Sequence, residues 1–332
     1  MAVQAVDFRD GKLRLLDQRE LPQAVRYLEI GDAEGAAEAI RDMAVRGAPA
    51  IGLAAAYAMA LAAREATGTA DPAATLGTLS GLIAQARPTA INLRHEVERS
   101  LGLLTGSPAT WYETALRHAE AMKEGQRLED EALARNALPL FSKGMRVLTH
   151  CNTGSLATGG LGTAFAAIVL AHRELGLAEV LADETRPRLQ GARLTAFELG
   201  QAGVPHRVIV DGAAAYCMAS GLVDLVIVGA DRIGSDGRTA NKIGTYGLAV
   251  LAKHHGIPFA VVAPRSSCDP LWPGAREVEI EQRDPLEVLE VMGQRVASAG
   301  SDALNPAFDV TPGELVTAIV REDGLYRPPY AF

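Results

Sequence analysis

MRVLTHCNTGSLATGGLGTAFAAIVLAHRELGLAEVLADE, residues 145–184, decides the fold. It opens with a short apolar run, MRVLTH (145–150), and passes through a glycine-rich stretch. A helical pattern follows, GTAFAAIVLAHRELG (162–176), and then a second apolar run, AEVLADE (178–184). Strand, helix, strand at this spacing is a parallel βαβ unit with a right-handed crossover. The rhythm repeats downstream. HRVIVD (206–211), VDLVIVGAD (223–231) and PFAVVAP (258–264) are further β-branched runs. Between them lie the helical patterns LQGARLTAFELGQAG (189–203), GAAAYCMASGL (212–222) and KIGTYGLAVLAKHHG (242–256). The runs are continuously apolar, as strands covered on both faces require. Residues 144–332 therefore read as an open, doubly wound, Rossmann-like parallel sheet. Such sheets bind ligands outside the carboxyl ends of their strands.

Upstream the pattern differs. Residues 3–30 read as short antiparallel strands, with Asp10-Gly11 as a hairpin signal. From Asp32 to about Ala134 the periodicity is helical. Asp32 suits a helix N-cap, and Ser107-Pro108 suits the start of a long helix. The expected organisation is an α/β chain in two domains: a strand layer plus helical domain at 1–130, and a Rossmann-like catalytic domain at 131–332.

Composition narrows the function. The 332 residues carry a net charge of −8, which argues against broad nucleic-acid binding. No apolar run approaches the ~18 residues of a membrane span. The N-terminus lacks a basic segment followed by an apolar one, so no secretory signal is expected. Three cysteines, Cys151, Cys217 and Cys268, are an odd number without close spacing. A reducing cytoplasm is the natural setting, and neither a disulfide framework nor a structural zinc site is expected. Arginine far outnumbers lysine, which suits bidentate phosphate recognition and equally fits genome composition.

Five consecutive strand ends carry polar or charged groups. Cys151, Asn152 and Thr153 follow the first. Thr185, Arg186, Arg188 and Gln190 follow the second, and Asp211 the third. Asp231, Arg232 and a glycine-containing loop ending in Asn241-Lys242 follow the fourth, and Arg265 and Ser266 the fifth. Gly160-Leu161-Gly162 begins like a dinucleotide fingerprint, but Phe165 stands where the third glycine belongs. A P-loop fails too, because Gly160 rather than lysine follows Gly159. What survives is a glycine-rich turn offering backbone N–H groups to an anion. In the helical half, Arg46-Gly47-Ala48-Pro49 and Arg87-Pro88 each place an arginine beside small or rigid residues. On spacing alone these are either ordinary helix–loop–helix turns or rigidly placed anion forks.

Taken together, RGAPAIG (46–52), RPTAINL (87–93), THCNTGSLATGGLGTA (149–164), ETRPRLQGARLTAFEL (184–199), GADRIGSDGRTANKIGTYGLA (229–249) and NPAFDVTPGELVTAIV (305–320) resemble the methylthioribose-1-phosphate isomerase family of methionine salvage. That family belongs to the superfamily of the regulatory subunits of the eukaryotic initiation-factor guanine-nucleotide exchange complex. The resemblance runs in order from about Leu21 to Asp323. It implies an aldose–ketose isomerase with no cofactor, acting on a small phosphorylated sugar as a cytoplasmic homodimer. It implies Asp231 as proton donor and Cys151 as base or transition-state stabiliser. It implies Arg46, Gly47, Ala48, Arg87, Gln190, Asn241 and Lys242 as substrate-binding residues, with no metal, nucleic acid or membrane partner.

That chemistry makes physical sense of the residues. A sugar whose anomeric oxygen carries phosphate cannot open like a free hemiacetal, so an acid must protonate the ring oxygen. A carboxyl kept protonated by burial can do this, and Asp231 ends a very apolar run. Hydrogen then moves from C2 to C1, either as a proton through an enediol or as a hydride. Rival readings are a ribose-1,5-bisphosphate isomerase, a non-catalytic initiation-factor subunit and a nicotinamide-dependent dehydrogenase. Adjacent strand residues point to opposite faces, which gives His150 a core or supporting role rather than a dyad with Cys151. His254 and His255 fit a helix C-terminus, and Cys217 a buried helical position.

Overall fold

A computed structural model of the chain describes residues 3–87, 90–273 and 279–332. Two compact units emerge. One comprises the chain up to Leu128 together with Gly154–Gly162, and the other Glu129–Thr153 with Thr163–Phe332. The nine residues 154–162, read from sequence as part of the sheet half, thus cluster with the helical unit.

The helical unit begins with three antiparallel strands, β1 (Val6–Arg9), β2 (Lys12–Leu16) and β3 (Tyr27–Ile30). Asp10 and Gly11 both take positive φ, 50° and 72°, as a two-residue hairpin turn requires. Asp32 caps α1 (Ala33–Arg41), its carboxylate accepting from Gly35 N at 2.7 Å. The twenty-residue α2 (Ala48–Thr67) is alanine-rich and buried on almost every side, so it forms the centre of this unit. Around it lie α3 (Pro72–Gln85), α4 (Ile91–Leu103) and the first part of α5 (Trp111–Ala137). Pro108–Thr110 forms a separate 3₁₀ turn, so the long helix starts at Trp111 rather than at the proline. The short α6 (Ser155–Thr158) completes the unit.

The second unit is built on β4 (Arg146–Thr149), β5 (Glu179–Asp183), β6 (His206–Ile209), β7 (Leu225–Val228) and β10 (Phe259–Val262). These are the five runs anticipated from sequence. Two more strands, β15 (Ala318–Arg321) and β16 (Gly324–Tyr326), extend the sheet to seven in the order β16-β15-β10-β7-β4-β5-β6. All neighbours are parallel except β15–β16. Alternate residues feed two cores. Val147, Val180, Ile227 and Ala260 pack with α7 (Ala164–Leu175) and α8 (Ala196–Gln201). Leu148, Leu181, Val226 and Val261 pack with α9 (Ala214–Ala219) and α10 (Thr245–His255). The sheet is therefore covered on both faces, which explains its unbroken apolar strands.

A second, four-stranded sheet was not legible in the sequence. It joins β8 (Arg232–Gly234), β9 (Thr239–Lys242), β11 (Cys268–Asp269) and β14 (Phe308–Thr311) in the order β11-β8-β9-β14. The supposed loop before Asn241-Lys242 is in fact a hairpin turning at Gly237 (φ 81°). Its strands are short and polar, so no alternation announces them. Between β11 and β14 lie α11 (Leu286–Leu289) and the ribbon β12 (Glu290–Val291) with β13 (Gln294–Arg295).

Candidate active site

The order of the large sheet shows where its connections diverge. From β4 the chain lays down β5 and β6 on one side, then returns to place β7 and β10 on the other. The connections diverge between β4 and β7, and a doubly wound sheet opens its crevice at that point. Cys151 lies two residues beyond β4, and Asp231 three residues beyond β7. The two strand ends are tied by Thr149 Oγ1, which donates to Ile227 O at 2.8 Å.

Cys151 has left the strand conformation. Its φ is 64°, a left-handed setting that costs a non-glycine residue about 1–2 kcal/mol. Its N–H donates to Thr185 Oγ1 at 2.9 Å, and its carbonyl accepts from Thr195 Oγ1 at 2.6 Å. None of the three cysteines is joined to another.

His150 is buried. Its Nε2 donates to Ile243 O at 2.9 Å, and its Nδ1 meets Asp183 Oδ2 at 2.9 Å. Burial opposes the imidazolium, yet bonding to Asp183 and to the Ile243 carbonyl raises the His150 pKa. Burial likewise pushes the Asp183 carboxyl up, against the pull of His150. One hydrogen bond joins the pair. His150 also fixes the β4 end to the segment that follows Asn241 and Lys242. His150, Asp183 and Asp211 form the one group of donors among the described residues close enough to gather on an ion, within 4.8 Å of one another. Their atoms are mostly engaged already: Asp211 accepts from Thr185 N and Arg186 N, at 2.8 and 2.7 Å.

The segment after β5 is tightly shaped. Thr185 and Leu189 take positive φ, 62° and 58°. A π-helical turn, Gly191–Thr195, then leads into α8; such widened turns recur at functional sites. Gly191 is obligatory here, because a Cβ on it would stand 1.6 Å from Asp183 O. Gln190, just before the turn, is buried, and its Oε1 meets no hydrogen-bond partner among the described residues. Arg186 and Arg188, two of the charged groups at the second strand end, are engaged in holding the loop. Arg186 donates to Pro187 O and Val288 O, at 2.8 and 2.7 Å, and Arg188 to Glu287 at 2.7 Å.

Asp231 is exposed as a residue, while desolvation by the protein around its carboxyl raises the pKa and Lys242 pulls it down. The backbone N–H of Asp231 donates to Ala240 O at 3.0 Å, anchoring it to the hairpin that presents Asn241 and Lys242. Asn241 Nδ2 donates to Thr245 Oγ1 at 3.0 Å. Lys242 Nζ donates to Ala307 O at 2.9 Å and lies 4.3 Å from the Phe308 ring centre. Asp309 supplies the cap that α10 lacks at Gly244, accepting from Gly244 N and Tyr246 N at 2.7 and 3.0 Å. Sequence reading placed Thr185 at its strand end but singled out neither Asp309 nor Thr195. They act through backbone groups, which no motif spacing reveals.

The remaining predicted residues belong to the helical unit. Gly47 (φ 93°) stands at the N-terminus of α2, and Ala48 and Pro49 open the helix. A Cβ on Gly47 would fall 2.1 Å from Ala157 O, so the turn is glycine-specific twice over. The first amides of α2 have no intrahelical acceptor, and half-buried Arg46 precedes them. Arg87 is half-buried just past α3; Pro88 and Thr89 of its motif lie outside the described residues. Among the described residues no helix is long and apolar enough to cross a membrane.

Residues 44–328 match the Initiation factor 2 subunit family. The chain is 46% identical over 335 residues to the methylthioribose-1-phosphate isomerase of a Synechococcus strain, covering 98% of this chain and 95% of that protein. The crystal structure of 5-methylthioribose 1-phosphate isomerase from Pyrococcus horikoshii OT3 superposes with a TM-score of 0.93. It is 38% identical, over 98% of this chain and 93% of that one. A crystal structure described as translation initiation factor eIF-2B, subunit delta, from A. fulgidus gives a TM-score of 0.89. It is 40% identical, over 99% and 97% of the two chains.

Proposed function

The chain belongs to the Initiation factor 2 subunit family, and we infer that within it the protein is an aldose–ketose isomerase of methionine salvage. It converts 5-methylthioribose 1-phosphate to 5-methylthioribulose 1-phosphate. Near-full-length identity to isomerases of that name carries the reading.

The proposed chemistry assigns each step to a residue of this chain. Asp231, its carboxyl favoured in the protonated form by burial, gives a proton to the ring oxygen as the C1–O bond breaks. The electron-poor C1 then receives hydrogen from C2. In one route the hydrogen crosses as a hydride, and the Asp231 carboxylate takes the proton from the C2 hydroxyl as it becomes the ketone. In the other, the Cys151 thiolate removes the C2 proton to give an enediol and returns a proton to C1, while the Asp231 carboxylate takes the proton of the C2 hydroxyl as the ketone forms. Either route leaves C1 as the phosphorylated methylene and Asp231 reprotonated. Arg46, the α2 amides at Gly47 and Ala48, and Arg87 are proposed to bind the substrate together with Gln190, Asn241 and Lys242. Anion binding at a helix N-terminus and the orphan Gln190 oxygen support this assignment.

Turnover of methylthioribose 1-phosphate by the purified protein tests the activity. Its absence, with the protein folded, sinks the reading in favour of the initiation-factor role named for the 40%-identical structure. In deuterated solvent, label at C1 of the product selects proton transfer, and unlabelled product leaves the hydride route or a base shielded from solvent. We further propose a homodimer in the cytoplasm. The edge strand β6 and its neighbourhood expose Val208, Val210 and Tyr216, the last at 69%. Light scattering that returns the mass of one chain refutes the dimer.

A further inference from the structure

We propose that the hydroxyls of Thr185 and Thr195 are positioning groups that hold the left-handed Cys151 peptide and so aim its thiol. The inference rests on the reading above, in which Cys151 acts in the isomerisation. At φ 64° the N–H and C=O of Cys151 are turned out of the β4 ladder. Each needs a partner, since a buried backbone polar group left unpaired is unfavourable. Each finds one threonine hydroxyl: Thr185 Oγ1 accepts the N–H at 2.9 Å, and Thr195 Oγ1 donates to the carbonyl at 2.6 Å.

The direction of both bonds is fixed by what lies behind them. Thr185 Oγ1 gives its single proton to Asp183 O at 3.1 Å, so toward Cys151 it can only accept. Thr195 Oγ1 accepts from Asn152 Nδ2 at 3.2 Å, so its proton is available to the Cys151 carbonyl. Asn152 is itself held by Glu198 Oε2 at 2.7 Å. Both threonines are almost wholly buried and β-branched, with little rotamer freedom to lose or to wander through. Their backbones are also set: Thr185 N is held by Asp211, and Thr195 closes the π-helical turn that starts next to Gln190. The clamp thus links the cysteine to the same segment that carries a proposed substrate ligand.

Thr→Val keeps shape and volume but removes the hydroxyl, whereas Thr→Ser keeps the hydroxyl. The variants Thr195→Val, Thr195→Ser, Thr185→Val and Thr185→Ser are to be compared by steady-state kinetics, thermal melting and iodoacetamide alkylation. Alkylation is read site by site by mass spectrometry, with Cys217 and Cys268 as internal references. The Val variants are expected to lose about 10–100-fold in kcat with KM within about 2-fold, as misaimed groups do. The Ser variants are expected to stay within about 3-fold of the parent. Cys151 alkylation is expected to change several-fold in the Val variants while the reference cysteines do not. The proposal is overturned if both Val variants keep the parental kcat and Cys151 alkylation rate, or if Ser and Val variants lose activity alike in step with melting temperature. Cys151→Ser, run in parallel, separates the two claims. If it retains turnover, the catalytic role of Cys151 fails, while the alkylation rates still judge the clamp.

Discussion

Gly191→Ala adds one carbon and two hydrogens, and the structure predicts a disproportionate effect. The new Cβ would sit 1.6 Å from Asp183 O, 2.8 Å from Asp183 C and 2.9 Å from Thr185 Oγ1. A carbon–oxygen contact needs about 3.3 Å, so roughly 1.7 Å must be found. No flexible side-chain end can give it. Asp183 O ends a central strand and accepts the Thr185 hydroxyl, while Gly191 sits in a turn pinned by Leu189 N to Thr185 O and Arg193 N to Leu189 O, both 2.8 Å. The turn must shift as a body, taking Gln190 and Thr195 with it. Overpacking of this kind costs about 1–3 kcal/mol or more. For a unit of this size that lowers the melting temperature by about 2–12 °C. A displacement above 1 Å beside the reacting groups lowers kcat/KM by about 100-fold. Gly125→Ala is the control. Gly125 is exposed within α5 with nothing within 4 Å of its Cβ, and alanine there is expected to stabilise by about 0.5–1 kcal/mol. The assay is thermal melting by circular dichroism with kcat/KM on the same samples. Parental melting and turnover in Gly191→Ala would refute the claim that this backbone approach sets the site.

Asp231→Asn is expected to reduce kcat by about 10²–10⁴-fold, and the parent's kcat to fall as pH rises through the raised Asp231 pKa; a flat parental profile contradicts the acid role. The raised pKa also means that the folded state holds this proton more tightly than the unfolded one. The Asp231 contribution therefore weakens stability as pH climbs above the ordinary carboxylate range. The Asn variant should melt higher than the parent at neutral pH, with the difference vanishing below about pH 4. Gly47→Ala meets both a positive φ and a contact 2.1 Å from Ala157 O, so a rise in KM of at least 10-fold and lowered stability are expected. Glu287 binds Arg188, Arg283 and Asn305, and those partners overcome burial to hold its carboxyl down at about 2. Its contribution is complete above the ordinary glutamate pKa and is lost as pH falls from there toward 2. Glu287→Ala should cost about 1–3 kcal/mol at pH 7 by chemical denaturation, and an equal cost at pH 2 would contradict the assignment.

The sequence by itself determined the architecture of the large sheet. Its central strands are apolar on both alternations because both faces are covered, and that pattern is local and readable. The Asp10-Gly11 hairpin and the Asp32 cap were legible for the same reason: each is a short-range rule satisfied within a few residues. Cys151, Asp231, Gln190 and Asn241-Lys242 stood out because strand ends are where such a sheet gathers polar groups. Tertiary structure alone decided the rest. The second sheet is made of two- to four-residue strands whose partners lie up to about seventy residues away, too short to carry a period. Residues 154–162 cluster with the helical unit although their pattern continues the sheet half. Arg186 and Arg188 stand among the charged groups at a strand end, yet their guanidinium groups are engaged by Pro187, Val288 and Glu287. Most of all, the sequence named the cysteine but not its conformation. A left-handed peptide held by two threonine hydroxyls, thirty-four and forty-four residues away, depends on contacts that exist only once three strands and a π-helical turn have met.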